Sequence, residues 1–543
     1  GGDAVTDLST ITLGSSTDPY KRAEERGWDI TDASTLTAPL SLEADVVIVG
    51  TGAGGGTAAE TLSKAGLSVV LLEAGPLKTS SQFDMQERAA YRDLYQEGTG
   101  RGTKDGGMVI LQGRSVGGST TVNWTSSFRT PPDTLKFWAE HMGVSGCSVE
   151  EMAPHFAHME ERLNIQEWQQ APNKNNAMLK RAAQKLGYSW KVIPRNVRGC
   201  LNLGFCGLGC PVDAKQSMLV TTIPGALDNE AKLVHHARVV RVLRDGDTVT
   251  GVEAEALTPN VRGSTGQKIT VRATRTVLAG GAMNTPAILL RSKVPDPHGR
   301  IGKRTFLHPT TLTMAIYPEL IDPFYGAPQS IYSDHFQWQD VSTGPMGFKL
   351  EVPPLQPAFA AGFYSTAGEE ISSSMDQLGN TQCMIALLRD GFHEQSQGGV
   401  VELGDAGQPV LDYTINEYIL EGVRRSWGIM LEMQFATGCK SARPAHKQAQ
   451  HYSTWKQAKA ALAELPIAPH KVTVGSAHVM GGAPMGDDPA NSVADCDGKF
   501  HHLDNLYVMD GSLFPTSVGA NPQLSIYGLV YKLAGKLASQ FTA

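Results

Sequence analysis

Asp45-Val46-Val47-Ile48-Val49-Gly50-Thr51-Gly52-Ala53-Gly54-Gly55 is the stretch that decides the fold. A short β-branched run ends in a G-x-G-x-x-G-like turn, and a helix-compatible segment follows from Gly56 to Lys64. A second apolar run, Ser68-Val69-Val70-Leu71-Leu72, then ends in Glu73. Strand, glycine turn, helix, strand and acidic residue, in that order, predict a βαβ unit that binds a dinucleotide. Gly50 permits the tight turn, and Gly52 removes the side chain that would block a pyrophosphate. Ala53 and Gly54 lead into the helix, and Gly55 lets that helix pack close to the sheet. The free N–H groups and positive dipole end of the helix favour phosphate. Glu73 lies 18 residues after Gly55, where a carboxylate can accept hydrogen bonds from ribose hydroxyls.

The rest of the chain sets bounds. A length of 543 residues is too much for one ordinary core, so two or more domains are expected. Hydrophobic residues at 41% and charged residues at 19% give a globular profile. The 58 glycines exceed the usual ~7% but follow no period, which excludes a fibrous protein. A net charge of −7 without a basic stripe argues against a nucleic-acid partner. No apolar run approaches the ~18 residues that span a bilayer, so no transmembrane segment is expected. The first residues are polar and acidic, without a signal-peptide core. That points to the cytoplasm, with a periplasmic or membrane-associated location left open. Seven cysteines, an odd number, do not form a disulfide framework.

Outward from the glycine turn, residues 1–40 read as an N-terminal arm and 41–132 as the first part of the cofactor domain. Gly98 to Gly118, rich in glycine and charge, reads as a long functional loop. Residues 133–215 form a helical and loop segment, with Trp138, Met142, Met152, Phe156 and Met159 on apolar stripes. Residues 216–310 return to the cofactor domain. Within them 233–282 read as β, with a turn at Gly246 and a strand, Thr276-Val277-Leu278-Ala279, running into Gly280. Residues 311–470 mix strands, Pro-rich loops and an amphipathic helix near 415–437, and read as a substrate domain inserted into the first. Residues 471–543 regain the glycine-rich character of the cofactor domain. The fold class is α/β.

Four further segments carry a resemblance. They are Gly113 to Asn123 (Gly-Arg-Ser-Val-Gly-Gly-Ser-Thr-Thr-Val-Asn), Gly281 to Ser292, Ser476-Ala477-His478-Val479-Met480-Gly481-Gly482-Ala483-Pro484-Met485-Gly486, and Asn505 to Pro515 running on to Asn521-Pro522. With the glycine turn they resemble, in order, the glucose-methanol-choline (GMC) family of FAD-dependent alcohol oxidoreductases. Within it the chain looks most like bacterial relatives of the long-chain (fatty) alcohol oxidases. The resemblance implies a discontinuous Rossmann-like FAD-binding domain with an inserted α+β substrate-binding domain. It implies FAD contacts at Glu73 and Ala74, at Arg114, Gly117, Gly118, Ser119, Asn123 and Trp124, at Val239 and Gly280, and at Asp510, Gly511, Asn521, Pro522 and Gln523. Val239 would present backbone groups to adenine. Some relatives attach FAD through a histidine that matches Val122 here, so non-covalent FAD is expected. Asn284-Thr285-Pro286 reads as a helix start, with Thr285 as N-cap and Pro286 at the first helical position.

By position in the family motif, His478 is the expected catalytic base. A neutral imidazole can take the hydroxyl proton as the carbinol hydride moves to flavin N5. Asn521 is expected to hold the substrate oxygen. The competing reading makes Asn521-Pro522 an N-cap and first helical residue, opening a helix through Leu524, Tyr527 and Val530. Cys200, Cys206 and Cys210 lie within eleven residues. They are expected to be small buried thiols; an iron–sulfur cluster, as in a few cytochrome-reducing relatives acting on a sugar or sterol, is the alternative. A non-redox flavin lyase is a further one. The expected activity is oxidation of a fairly apolar primary alcohol, with oxygen, a quinone or a cytochrome as electron acceptor.

Overall fold

A computed structural model describes residues 17–357, 360 and 371–542. The first sixteen residues of the expected arm, and part of the 311–470 segment, lie outside the described residues. The quoted stretch ends a ten-residue strand, β2 (Leu40–Val49), which follows β1 (Asp29–Asp32) and precedes β3 (Val69–Glu73). The sheet continues with β4 (Lys232–His235), β5 (Ala237–Asp245), β6 (Thr248–Leu257), β7 (Ser264–Leu278) and β8 (Leu506–Val508). Its order is β1-β4-β3-β2-β7-β6-β5, with β8 beside β7. The pairs from β1 to β7, and β7 with β8, are parallel; β5, β6 and β7 form an antiparallel extension. Val46 to Val49 and all of β3 are buried. Continuous β-branched runs of this kind suit parallel strands covered on both faces.

Helix α1 (Ala53–Lys64) starts at Ala53, three residues before the segment marked by the sequence. It packs beside the long C-terminal helix α2 (Gln523–Thr542). Between the strands, helices cover Pro132–His141, Val149–Arg162 and Lys174–Leu186, within the expected helical segment. Ser148 opens the second of these with a capping box, its hydroxyl accepting from Glu151 N while Glu151 accepts from Ser148 N.

A second, six-stranded sheet is built from Phe348–Glu351, Thr381–Leu388, Thr310–Ile316, Val474–Ser476 and Met108–Ile110, with Ser441–Pro444 also beside Thr310–Ile316. The helix Glu417–Ala436 packs on it, close to the expected 415–437. Its Trp427 is fully buried and donates Nε1–H to Thr311 Oγ1 at 2.9 Å. Two strands of this sheet come from outside 311–470. One of them, Met108–Ile110, corrects the reading of 98–118 as a loop: its parallel partner Val474–Ser476 lies far along the chain, so no local pattern marks it. The strand expected at Thr276 begins twelve residues earlier, at Ser264, because its first half pairs with β6.

Candidate active site

A cavity of about 1140 Å³ opens between the two sheets. It exceeds the range of about 300–1,000 Å³ typical of small-ligand pockets, as a dinucleotide with a substrate beside it requires. The glycine turn forms one wall. Gly50 has φ +101°, and a Cβ there would sit 2.2 Å from Ala279 O. A Cβ on Gly54 would lie 2.0 Å from Met509 O, and one on Gly55 1.8 Å from Gly50 O. Both positions are therefore closed to side chains by the protein itself. Gly52 differs: the nearest atom to its Cβ would be Gly118 Cα at 3.8 Å, so a side chain there would project into the cavity.

The expected cofactor residues converge on this space. Gly50, Gly52, Ala53, Gly54, Glu73, Ala74, Arg114, Gly118, Ser119, Asn123, Trp124, Val239, Gly280, Asp510, Gly511, Asn521, Pro522 and Gln523 all line it. Gly55 and Gly117 lie just behind that lining. Gly55 sits behind the turn against Gly50, and Gly117, at φ +96°, leaves room for Thr121 Oγ1.

Glu73 is buried, and burial raises its carboxyl above the usual range. Its Oε1 accepts from Thr51 N and Oγ1, at 3.2 and 2.6 Å, and its Oε2 from Gly75 N at 2.8 Å. The carboxylate thus braces the glycine turn as well as facing the cavity. Arg114 Nε is buried without a hydrogen-bond partner, an orphaned donor at the cavity wall. Val239 stands at the far end, its carbonyl accepting from Arg291 Nη2 at 3.1 Å.

Asp510 accepts from Gly281 N at 2.9 Å, Thr285 Oγ1 at 2.7 Å and Ser512 N at 2.8 Å. Thr285 is therefore a brace and not an N-cap: its helix begins at Asn284, and its hydroxyl links Gly280 N to Asp510. Asn123 Nδ2 donates to Gln523 Oε1 at 2.9 Å, and Gln523 Nε2 donates to Ser126 O at 2.7 Å.

His478 is half-buried in the wall, beyond the end of Val474–Ser476. Burial, with the Lys349 charge adding to it, pushes its imidazole down to about 3, so the ring is neutral at ordinary pH. Its Nδ1 lies 3.0 Å from Nδ1 of His308. His308 is fully buried, and burial also lowers its basicity well below the usual value. Two residues, Asp390 and Ser476, fix the pair. Asp390 accepts from the backbone N–H of Leu307 and His308, at 3.0 and 3.1 Å. Ser476 Oγ donates to Leu307 O and accepts from His478 N.

Asn521 also lines the cavity, but its side chain is not the helix cap expected from Asn-Pro. The helix starts at Gln523, and Asn521 Nδ2 donates to Glu351 Oε1 at 3.1 Å while its Oδ1 accepts from Lys349 Nζ at 3.3 Å. A buried ion pair outcompetes the local cap. Lys349 and Glu351 are 3.3 Å apart, 3% and 0% exposed, and the ammonium sits 3.0 Å from the Phe128 ring centroid. Burial draws Lys349 down to about 8.

Sequence reasoning missed His308, Lys349 and Glu351. His308 carries no motif. Phe348-Lys349-Leu350-Glu351 held a usable signal, opposite charges at i and i+2 on one face of an apolar strand. His501 and His502 do not line the cavity; His501 Nε2 meets Ser492 Oγ at 2.7 Å.

The cysteine loop abuts the site. Lys215 Nζ donates to the carbonyls of Thr121, Asn123 and Cys206, at 2.8, 2.9 and 2.6 Å, and staples that loop to the Gly117–Asn123 turn. Arg195 reaches Cys200 Sγ and Cys206 Sγ at 3.8 and 3.9 Å.

Comparison with known proteins decides the family. Residues 91–310 and 395–529 match the GMC oxidoreductase family, and residues 45–84 match an FAD binding domain. The chain belongs to the GMC oxidoreductase family. Long-chain-alcohol oxidase FAO4B of Arabidopsis thaliana is 28% identical over 515 residues, covering 91% of this chain and 67% of the relative. The 6'''-hydroxyparomomycin C oxidase of Streptomyces lividus is 25% identical over 542 residues, covering 92% of each. Among solved structures, a variant of formate oxidase from Aspergillus oryzae superposes with a TM-score of 0.68 at 15% identity, over 93% of this chain and 100% of the other. Pyridoxine 4-oxidase from Mesorbium loti gives 0.65 at 18%, over 91% and 98%.

The GMC cofactor is FAD, and the cavity fits it: open space at Gly52, an unpaired Arg114 donor and a volume large enough for a dinucleotide. The protein is thus a flavin-dependent oxidoreductase. Among the described residues no helix is long and apolar enough to cross a membrane.

Proposed function

We propose that this GMC protein oxidises an apolar primary alcohol to the carbonyl compound, with non-covalent FAD, His478 as base and Asn521 as the residue that holds the substrate oxygen. The observation that carries the reading is the His478–His308 contact at the wall of the FAD cavity. FAD, when bound, supplies the acceptor for the hydride that leaves the carbinol carbon. His478 supplies the other half. With hydrogen on Nδ1, donated to His308 Nδ1, its Nε2 keeps a free lone pair and receives the hydroxyl proton. Asn521 spends one N–H on Glu351; its second is free to donate to the substrate oxygen. Leu312, Ile385, Leu387, Val472, Val474 and Val479 line the same cavity and supply apolar contact for the chain of the alcohol. Val122, buried in the wall, offers no nucleophile to the cofactor, in keeping with non-covalent attachment.

The test is anaerobic titration with straight-chain alcohols, following flavin absorbance. Each added methylene that reaches the apolar wall should improve reduction efficiency about fourfold, the equivalent of ~0.8 kcal/mol. If no alcohol bleaches the flavin, the proposal is wrong.

A further inference from the structure

A second cluster lies outside the cavity, at the carboxyl ends of β1 and β4. Asp32 and His235 are direct partners across that parallel pair, and His236 follows at once with φ +56°. None of the three lines the FAD cavity. His235 and His236 are 7% and 5% exposed, while the Asp32 side chain is 38% exposed, so the cluster is dry on one side and open to water on the other. His236 Nδ1 lies 2.9 Å from Asp32 Oδ1 and 3.0 Å from His235 Nδ1.

The outer partners bear on where hydrogens sit. His236 Nε2 faces the carbonyl of Pro259 at 3.3 Å. A carbonyl only accepts, so in the neutral tautomer that uses this contact Nε2 carries the hydrogen and Nδ1 is a lone pair. Asp32 Oδ1 already accepts from Ser34 N at 2.9 Å and Ser34 Oγ at 2.7 Å, and it too presents only lone pairs. In that tautomer two acceptors face each other at 2.9 Å, a contact that either a second proton on His236 or a cation would relieve. A proton on His236 Nδ1 would lie in the ring plane and serve one neighbour well. A cation serves Asp32, His235 and His236 together.

We propose that Asp32, His235 and His236 form a zinc-type divalent cation site, with water in the fourth position. Two imidazoles and a carboxylate are a normal zinc donor set. Their ligand atoms all lie within 4.8 Å of one another. A tetrahedron with bonds of about 2.1 Å needs about 3.4 Å between ligand atoms, a few tenths of an ångström more than the two contacts show. The outer partners match as well: a ligating imidazole donates its other N–H to a carbonyl, and a ligating carboxylate is itself hydrogen-bonded. The ion would clip the edge strand β1 to β4. His236 N also donates to Gly75 O at 3.2 Å, two residues from Glu73, so the clip would brace one wall of the FAD cavity from behind.

The test uses the FAD-loaded protein, stripped of metal with a chelator, dialysed against buffered zinc and analysed for elements and flavin together. One zinc per chain is expected, with a rise in melting temperature. His235→Ala should lose the zinc, and Ser34→Ala should weaken it about tenfold. The triple variant Cys200→Ser, Cys206→Ser, Cys210→Ser should keep it. No zinc on the wild type, zinc undiminished in His235→Ala and Ser34→Ala, or zinc lost with the cysteines would each overturn the proposal. If His235→Ala fails to fold, Ser34→Ala decides. Flavin content is read separately, so failure of the zinc site leaves the FAD reading standing.

Discussion

Replacing His308 separates positioning from chemistry. In the proposed arrangement His308 Nδ1 accepts the hydrogen bond that His478 Nδ1 makes, at 3.0 Å and partly buried. Removing that acceptor leaves a partly buried N–H unpaired, which costs about 1–3 kcal/mol. If the proton-accepting form of His478 loses ~2 kcal/mol, flavin reduction slows about 30-fold. The backbone should hold, since Asp390 binds the N–H groups of Leu307 and His308 independently of the ring. His308 has φ +48°, a region Asn tolerates, and an Asn side-chain oxygen stands close to where Nδ1 was. His308→Ala should therefore lower the limiting rate of flavin reduction about 30-fold, with the apparent substrate Kd little changed. His308→Asn should recover most of that rate. The assay is anaerobic stopped-flow reduction at saturating alcohol, with flavin content and melting temperature as controls. Wild-type reduction in a flavin-loaded His308→Ala protein, or an Asn variant as slow as Ala, would refute the positioning role.

Three further outcomes follow from the same geometry. Gly52→Val should fold yet purify with little flavin, because its side chain makes no close protein contact and projects into the cavity; Gly55→Val should fail to fold, because its Cβ falls on Gly50 O. Flavin-to-protein absorbance and apoprotein melting distinguish the two. His478 and His308 have folded-state basicities below the ordinary histidine value of ~6.5. The unfolded chain therefore binds more protons below that pH, and stability, full above it, should fall towards pH 3 by up to ~1.4 kcal/mol per pH unit for each ring. Denaturant melts from pH 8 to pH 4 measure this, and a flat profile counts against buried neutral rings. Acid precipitation should release the flavin to the supernatant, since Val122 offers it no bond; colour in the pellet would contradict that.

The sequence was most readable where function needs local backbone. The turn from Gly50 to Gly55 is written in consecutive residues, and the steric tasks assigned to Gly50, Gly52 and Gly55 agree with where their Cβ atoms would fall. His478 was legible only through its neighbours in the family motif. What set its surroundings was not local. His308 and His478 are 170 residues apart in sequence and are brought together by the second sheet, where Thr310 pairs with Gly475. The same sheet carries Lys349 and Glu351 to Asn521, and so a sound local rule, Asn before Pro as a helix cap, lost to a buried ion pair. Thr285 failed similarly: its hydroxyl had a better partner in Asp510, held on a segment more than two hundred residues later. Propensity sees the chain nearby, and these side chains were claimed from far away.

The central claim is that His478 removes the hydroxyl proton while other residues hold the cofactor. Anaerobic reduction of His478→Ala by the best alcohol tests it directly. The variant should keep its FAD, held by the glycine turns, Glu73 and Asp510, and melt near wild type. Its flavin should be reduced at least ~10²-fold more slowly, the scale of a lost general base. Reduction at the wild-type rate across a range of pH would contradict the account.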